Sequence, residues 1–177
     1  MNEALILRLY GPGWPGVRTA SGRYVVEGAA DASPWVAIVR SETHRVVPRD
    51  QVDPKSREEA LSWLKGLPHT WTASGENQLS IVAPEAAEVL LDQPRLQMAS
   101  TRLQTHNLLA SVPMRGRITV MVDTDRHRRA LLAETRAGFD NARADRVCAF
   151  PLTIAQGVVT GLVREPPAGQ KSWWKVW

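Results

Sequence analysis

LQTHNLLASVPMRGRITVMVD, residues 103–123, is the stretch of sequence that decides the fold. Two runs rich in Leu, Val and Ile flank PMRG, and Gly116 takes the last position of this four-residue segment, where turns favour glycine. Each run has the length and the residue types of a strand, so the stretch predicts a β-hairpin. A helix is the alternative over residues 99–112, because short apolar runs fit either structure.

Strand-like runs also precede this hairpin. ALILRLY, residues 4–10, alternates Leu5, Leu7 and Leu9 with a face of mixed polarity, which is typical of a sheet strand. Three further runs are predicted strands, and a second hairpin is predicted around a turn at Ser74–Asn77. The strands are RYVVEG (23–28), WVAIVRS (35–41) and the short HRVVP (44–48), and the hairpin is WTASGENQLSIV (71–82).

The first predicted helix is DPKSREEALSWLKGL, residues 53–67. Ser56 and Glu59 have the spacing of a capping box, in which two side chains satisfy free backbone N–H groups at the start of a helix. Leu61 and Leu64 are expected to form the buried stripe. Gly66 is expected to end the helix in a left-handed conformation.

Two more helices and a last hairpin complete the pattern. PEAAEVLLDQ (84–93) is predicted as a short helix that Pro94 ends. TDRHRRALLAETRAGFDNA (124–142) is predicted as the longest helix. VCAFPLTI (147–154) and GVVTGLV (157–163) are predicted strands with a tight turn between them.

Strands outnumber helices in this pattern, and hairpins dominate the connections. We therefore predict an α+β fold with an antiparallel or mixed sheet built largely from hairpins and about three helices packed on one side of it. Residues 1–163 are expected to form a single α+β domain, with two lobes, 1–98 and 99–163, as the alternative. Residues 164–177 are predicted to be a Pro- and Gly-containing linker followed by an aromatic, Trp-rich C-terminal tail.

Composition excludes several classes of protein. Cys148 is the only cysteine, and the four histidines are scattered, so we expect neither a disulfide nor a zinc site, and no cofactor. No apolar run approaches the roughly 18 residues that span a bilayer, and the N-terminal residues lack the pattern of a secretory signal. Arg outnumbers Lys by 18 to 4, which is typical of a GC-rich bacterial genome. A cytoplasmic protein of a bacterium is therefore expected.

The segment ITVMVDTD, residues 118–125, places two carboxylates after a predicted strand. Asp123 and Asp125 resemble the paired carboxylates of phosphotransferases of the haloacid dehalogenase type, and this resemblance implies a bound Mg²⁺. The competing interpretation is that Asp123 or Thr124 caps the following helix while Asp125 complements its dipole. Capping is preferred, and a metal-dependent phosphotransferase or hydrolase at Asp123 and Asp125 stays the second alternative.

Basic side chains cluster in the second half of the chain. A patch of this kind neutralises phosphates and gives salt-dependent affinity for DNA or RNA. The net charge of +4 is modest, and an exposed helix face is normally charged. Nucleic-acid binding by the basic helix 124–141 is therefore the first alternative function, and its candidate residues are Arg115, Arg117, Arg126, Arg129 and Arg136.

The chain ends in KSWWKVW, which contains Trp173, Trp174 and Trp177. Each tryptophan carries roughly 150–250 Å² of largely apolar surface that an uncovered terminus would leave in water. These three residues are the predicted partner-binding site, and the partner is either another protein or a second copy of the chain. A membrane surface is not expected as the partner.

The sequence therefore predicts a non-catalytic protein-interaction module with the role of an adaptor, regulator, chaperone or immunity-type factor. Its Trp-rich tail is expected to mediate self-association or partner docking. No catalytic residue is predicted, because none of the candidate patterns is complete.

Overall fold

The computed structural model describes residues 3–18 and 21–165, which form an α+β fold with two antiparallel sheets. The small sheet has the order β1-β3-β2, and the large sheet has the order β4-β5-β7-β6-β8-β9. The strands are β1 (Leu5–Tyr10), β2 (Arg23–Tyr24), β3 (Trp35–Arg40), β4 (Thr72–Gly75), β5 (Gln78–Val82), β6 (Asn107–Ser111), β7 (Arg117–Val122), β8 (Leu152–Ala155) and β9 (Val158–Leu162).

Three α-helices and four short 3₁₀ helices connect the strands. The α-helices are α1 (Pro54–Gly66), α2 (Gln93–Arg102) and α3 (Asp125–Asn141). The 3₁₀ helices are Pro15–Arg18, Arg49–Gln51, Ala86–Leu91 and Arg143–Asp145. The predicted α+β class, with antiparallel sheets and three principal helices, is confirmed. No helix in the described part of the chain is long and apolar enough to cross a membrane.

The hairpin predicted in residues 103–123 is confirmed and forms the centre of the large sheet. In β6 and β7, Leu109 pairs with Met121 and Ala110 pairs with Val120. Both strands are apolar on both faces, which indicates that both faces of the sheet are covered. The competing helix prediction for residues 99–112 is correct only for residues 99–102, where α2 ends. Residues 107–111 form β6.

Helices cover both faces of the large sheet, so the predicted one-sided packing was wrong. On one face, Leu108 and Ala110 lie in the main core with the 3₁₀ helix Ala86–Leu91 and with α2. On the other face, Leu109 and Met121 pack against Leu131 of α3. Successive side chains of a strand point to opposite faces of the sheet, so Leu108 and Leu109 lie on opposite faces.

Helix α1 begins and ends differently from its prediction. Asp53, not a Ser56–Glu59 capping box, caps the helix, since Asp53 Oδ1 accepts a hydrogen bond from Ser56 N at 2.7 Å. Glu59 instead accepts a hydrogen bond from Leu5 N at 2.9 Å and ties α1 to β1. Gly66 does not adopt a left-handed conformation. The helix stops because Leu67 precedes a proline and takes an extended conformation, with φ −61° and ψ 129°.

The buried stripe of α1 is rotated from the predicted one. Ala60 and Leu64 are buried, whereas Leu61 is 46% exposed. Ala60 packs with Ile38 of β3 and with Val47. Residues four apart share a helix face, so burial of Ala60 and Leu64 leaves Leu61 on another face.

Prolines account for two further corrections. Pro94 lies in the first turn of α2 instead of ending the preceding helix. Its missing N–H is harmless there, and Asp92 caps the turn by accepting a hydrogen bond from Arg95 N at 3.2 Å. Pro151 delays the strand predicted over residues 147–154, and β8 starts only at Leu152.

Two predicted strands are shorter than expected. RYVVEG contributes only the two residues of β2, and Val25 continues with a single hydrogen bond to the carbonyl of Pro34. HRVVP forms no strand but one isolated bridge, between Val46 and Val39. The division of the chain into one domain of residues 1–163 stays a prediction.

Candidate functional site

A cleft of about 810 Å³ lies between the small sheet and the end of the large sheet. Its floor is the face of the small sheet that carries Leu7, Val36 and Ile38, and its walls come from α1, from the 3₁₀ helix Ala86–Leu91 and from the start of β9. We call it the intersheet cleft. Its volume is within the range of roughly 300–1,000 Å³ that is usual for ligand sites.

The walls of the intersheet cleft present apolar side chains to water. Four large apolar side chains are exposed in the described residues, and two of them, Leu61 and Val158, line this cleft. Leu61 is 46% exposed and Val158 is 49% exposed. Exposed apolar groups that converge on one concave surface are typical of a binding site, whereas single scattered ones are ordinary. Leu90 and Leu91 of the 3₁₀ helix add to the same wall.

Three arginines line the intersheet cleft, namely Arg23, Arg49 and Arg57. All three are exposed. Within the described residues, no carboxylate lines the cleft, and none lies within 4.0 Å of these three guanidinium groups. A concave apolar surface with charges of one sign focuses its field on the cleft and attracts anions.

Glycine at position 22 allows the cleft wall to form. A Cβ atom on Gly22 would overlap the carbonyl oxygen of Val36 and would lie 2.8 Å from Nε1 of Trp35. The backbone before β2 therefore lies directly against β3, and only a residue without a side chain permits this approach. This contact sets the separation of Arg23 from the cleft floor.

The opposite wall is held by the turn between β8 and β9. Gln93 and Gln97 of α2 donate side-chain hydrogen bonds to the carbonyl of Gln156, at 3.4 and 3.3 Å. A Cβ atom on Gly157, whose φ is +78°, would lie 2.8 Å from the carbonyl oxygen of Gln93. The start of β9 is thus fixed to α2, which gives the cleft two walls of defined position. The chain matches no family model, no curated protein and no solved structure.

A buried ionic joint connects the two sheets. Glu88 is fully buried, accepts a hydrogen bond from Leu9 N at 3.2 Å, and lies 3.6 Å from Arg115 Nε. Arg115 donates to the carbonyl of Leu9 at 2.8 Å and lies over the ring of Tyr10 at 5.7 Å. Burial raises the pKa of Glu88, and the bond from Leu9 and the charge of Arg115 oppose that rise without cancelling it. The signal available in the sequence was a glutamate inside the apolar run AAEVLL.

Asp123 and Asp125, the two carboxylates after β7, lie at the N-terminal end of α3. Both oxygens of Asp123 accept hydrogen bonds from the guanidinium group of Arg128, at 2.6 and 2.7 Å. The Thr124 side chain caps α3 by accepting from His127 N at 3.2 Å, and Asp125 is the first helical residue. Among the described residues, no group of three or more His, Cys, Asp and Glu side chains could hold a metal ion.

Exchange of Asp123 and Asp125 for asparagine tests this assignment. We expect a loss of about 1–2 kcal/mol in the free energy of unfolding, because the two hydrogen bonds of Arg128 to Asp123 lose their negative partner while Thr124 keeps the cap. Urea unfolding measures this loss. Isothermal calorimetry with MgCl₂ should give no heat of binding with either protein. Heat seen with the unchanged protein and lost in the variant would support the metal alternative.

The five predicted phosphate-binding arginines do not form one surface of free cations. Arg115 belongs to the buried joint, and Arg117 pairs with Glu134 at 3.4 Å. Arg136 pairs with Glu165 at 2.7 Å and lies 5.2 Å over the ring of Phe150. Arg126 and Arg129 are exposed and form no ion pair with the residues that the structure describes.

The predicted partner-binding residues Trp173, Trp174 and Trp177 lie outside the described residues. Sequence reasoning did not find the intersheet cleft, since its lining comes from segments as far apart as Leu7 and Val159. Leu61 gave no signal either, because its spacing from Leu64 placed it in the predicted buried stripe of the helix, whereas Ala60 and Leu64 are the buried residues.

Proposed function

We propose that the protein is a non-catalytic protein-interaction module that binds an acidic, partly apolar segment of a partner in the intersheet cleft. The observation that carries the proposal is the combination of an apolar cleft with three unpaired arginines, Arg23, Arg49 and Arg57, and no lining carboxylate among the described residues. Such a surface binds most strongly a partner that has both apolar side chains and negative charge.

Two energy terms favour this class of partner. Apolar surface that leaves water contributes roughly 25 cal/mol per Å², so two or three buried apolar side chains supply a few kcal/mol. The arginines add long-range attraction, and a carboxylate about 4 Å from one of them gains about 1 kcal/mol in water and more in a sheltered cleft. A cationic or wholly polar segment would gain neither term.

The remaining predictions from the sequence are kept as part of the proposal. The module has the role of an adaptor, regulator, chaperone or immunity-type factor in the cytoplasm of a bacterium. Trp173, Trp174 and Trp177 serve as a second contact, for self-association or for the same partner. Nucleic acid is not proposed as the ligand, because Arg115, Arg117 and Arg136 of the predicted patch are engaged within the protein.

The cleft is tested with 8-anilinonaphthalene-1-sulfonate, an apolar fluorescent anion. We expect this probe to bind, and we expect exchange of Arg23, Arg49 and Arg57 for glutamine to weaken its binding about tenfold, as three lost attractions imply. The matched control exchanges Arg126, Arg129 and Arg143 for glutamine, which removes the same charge from exposed arginines that lie outside the cleft and form no ion pair with a described residue. Near-ultraviolet circular dichroism must show both variants folded, because loosened folds keep their far-ultraviolet signal and also bind this dye.

A peptide then tests the class of partner. Acetyl-Glu-Val-Glu-Val-Glu-Val-amide should displace the dye, whereas the same peptide with lysine in place of glutamate should not. The chain ended after Gln170 is measured in parallel, and weaker peptide binding there would assign the tail to the same site. Equal dye affinity in the cleft variant and the control variant, or failure of the acidic peptide to displace the dye, would refute the proposed function.

A further inference from the structure

The outer edge of the large sheet borders the intersheet cleft. Strand β9 is the last strand of the order β4-β5-β7-β6-β8-β9, so residues 3–18 and 21–165 pair with only one of its edges. Val158 and Val159 at its start line the cleft, and so does Arg23 of β2, which is itself an edge strand of the small sheet. In the part of the chain that the structure describes, two edge strands of different sheets therefore contribute to the lining of one apolar cleft.

Turn geometry shows where the free backbone groups of β9 point. Gln156 and Gly157 have φ values of 53° and 78°, so they form a two-residue turn of type I′. Gln156 N donates to the carbonyl of His106 before β6, so the backbone groups of the neighbouring Ala155 point to β9 and pair with Val158. Backbone groups alternate along an antiparallel ladder, hence the N–H and C=O of Val159 point away from β8.

Within the described residues, this edge carries neither the charged side chains nor the prolines that often protect an edge against strand pairing. Natural proteins cover open edges or place charged residues and prolines on them. The sequence of β9 is VVTGL, which contains neither, although a bulge opposite Thr153 and Ile154 interrupts its ladder. No backbone hydrogen bond to Val159, beyond the pairing with β8, is found among the described residues.

We propose that the partner segment binds as an extended strand that pairs with the outer edge of β9 at Val159, with its carboxylates facing Arg23, Arg49 and Arg57. This inference rests on the proposed function and specifies its partner. Side chains of a strand alternate between two faces, so a segment of alternating acidic and apolar residues sends one set to the apolar floor and the other to the arginines. Backbone hydrogen bonds to β9 supply the affinity that such a short segment needs.

Backbone methylation of the peptide tests the strand. One version of acetyl-Glu-Val-Glu-Val-Glu-Val-amide carries N-methyl groups on its valines, and another carries them on its glutamates. A strand pairs through one edge, and alternate residues direct their N–H groups to opposite edges. We expect one version to bind about tenfold more weakly and the other to keep its affinity within about twofold, since only the first loses backbone hydrogen bonds to β9.

Hydrogen exchange provides a second readout. The Val159 amide should exchange more slowly when the unmethylated peptide is bound, while the Val82 amide on β5, at a distance from the cleft, should be unchanged. Equal binding of the two methylated peptides, or no protection of Val159, would overturn strand addition while dye displacement still supports the proposed function. A peptide that neither displaces the dye nor protects Val159 would overturn both.

Discussion

Exchange of Arg115 for methionine is expected to destabilise the fold by about 3–5 kcal/mol at neutral pH, because it leaves Glu88 buried without a compensating charge. Methionine keeps much of the apolar volume of the arginine but removes its hydrogen bond to the carbonyl of Leu9. Leu9 is fully buried on β1, and Glu88 and Arg115 come from the 3₁₀ helix and from the turn before β7. The loss should therefore loosen the attachment of the small sheet to the large one.

The same variant should be partly rescued by acid. Burial raises the folded-state pKa of Glu88 above its ordinary value of about 4.3, and loss of Arg115 removes an influence that lowers it. A carboxyl with a raised folded-state pKa binds its proton more tightly in the folded state. Stability thus increases as pH falls through the folded-state pKa towards the unfolded one. Urea unfolding at pH 7 and pH 5 should show a larger gain on acidification for the variant than for the unchanged protein.

Arg117 provides the matched control for this experiment. It lies two residues further along the chain, and its ion pair with Glu134 joins side chains that are 46% and 52% exposed. Exchange of Arg117 for methionine should cost less than about 1 kcal/mol and should not change the pH dependence. Addition of Glu88→Gln to Arg115→Met should recover part of the lost stability. Similar losses in the two methionine variants would show that the buried joint does not hold the sheets together.

The elements that the sequence predicted well depend on local patterns. The hairpin around PMRG and helix α3 carry their periodicity, turn glycine and cap within about twenty consecutive residues. Helix α1 was predicted correctly, but its buried face and its last residue were not. The buried face was misplaced because Ala60 is a less obvious core residue than Leu61. The end was misplaced because Pro68 holds Leu67 in an extended conformation. Local rules thus located the elements more reliably than the face each element buries.

The cleft and the buried joint could not be predicted in the same way. Glu88 contacts Leu9 and Arg115 only after the small sheet has packed against the large one. The hydrogen bond between Leu9 and Glu88 joins residues 79 apart in sequence, and the one between Arg115 and Leu9 joins residues 106 apart. The three cleft arginines looked like ordinary solvated residues in separate segments. The arginines of α3 were predicted to bind phosphate because they are near one another in sequence. One of them, Arg136, instead forms an ion pair with Glu165.

Exchange of Gly22 for alanine is expected to cost about 3 kcal/mol or more, at the upper end of the usual penalty for overpacking. The new Cβ would overlap the carbonyl oxygen of Val36 and would lie 2.6 Å from its carbonyl carbon. Those atoms belong to the backbone of the central strand of the small sheet, which cannot move aside as a flexible side chain could. The pairing of β2 with β3 through Arg23 and Val36 should be the first contact to break.

Gly66→Ala is the control, because it makes the same chemical change at the last residue of α1, where no atom lies within 4 Å of the added Cβ. Alanine there should be neutral or should stabilise the fold by up to about 1 kcal/mol, since it favours the helix and restricts the unfolded chain. Urea unfolding compares the two variants, and dye binding reports the cleft. Gly22→Ala should also weaken dye binding, because the wall that carries Arg23 must move relative to the floor at Val36. A Gly22→Ala protein with unchanged stability and dye affinity would show that the small sheet does not require this close backbone approach.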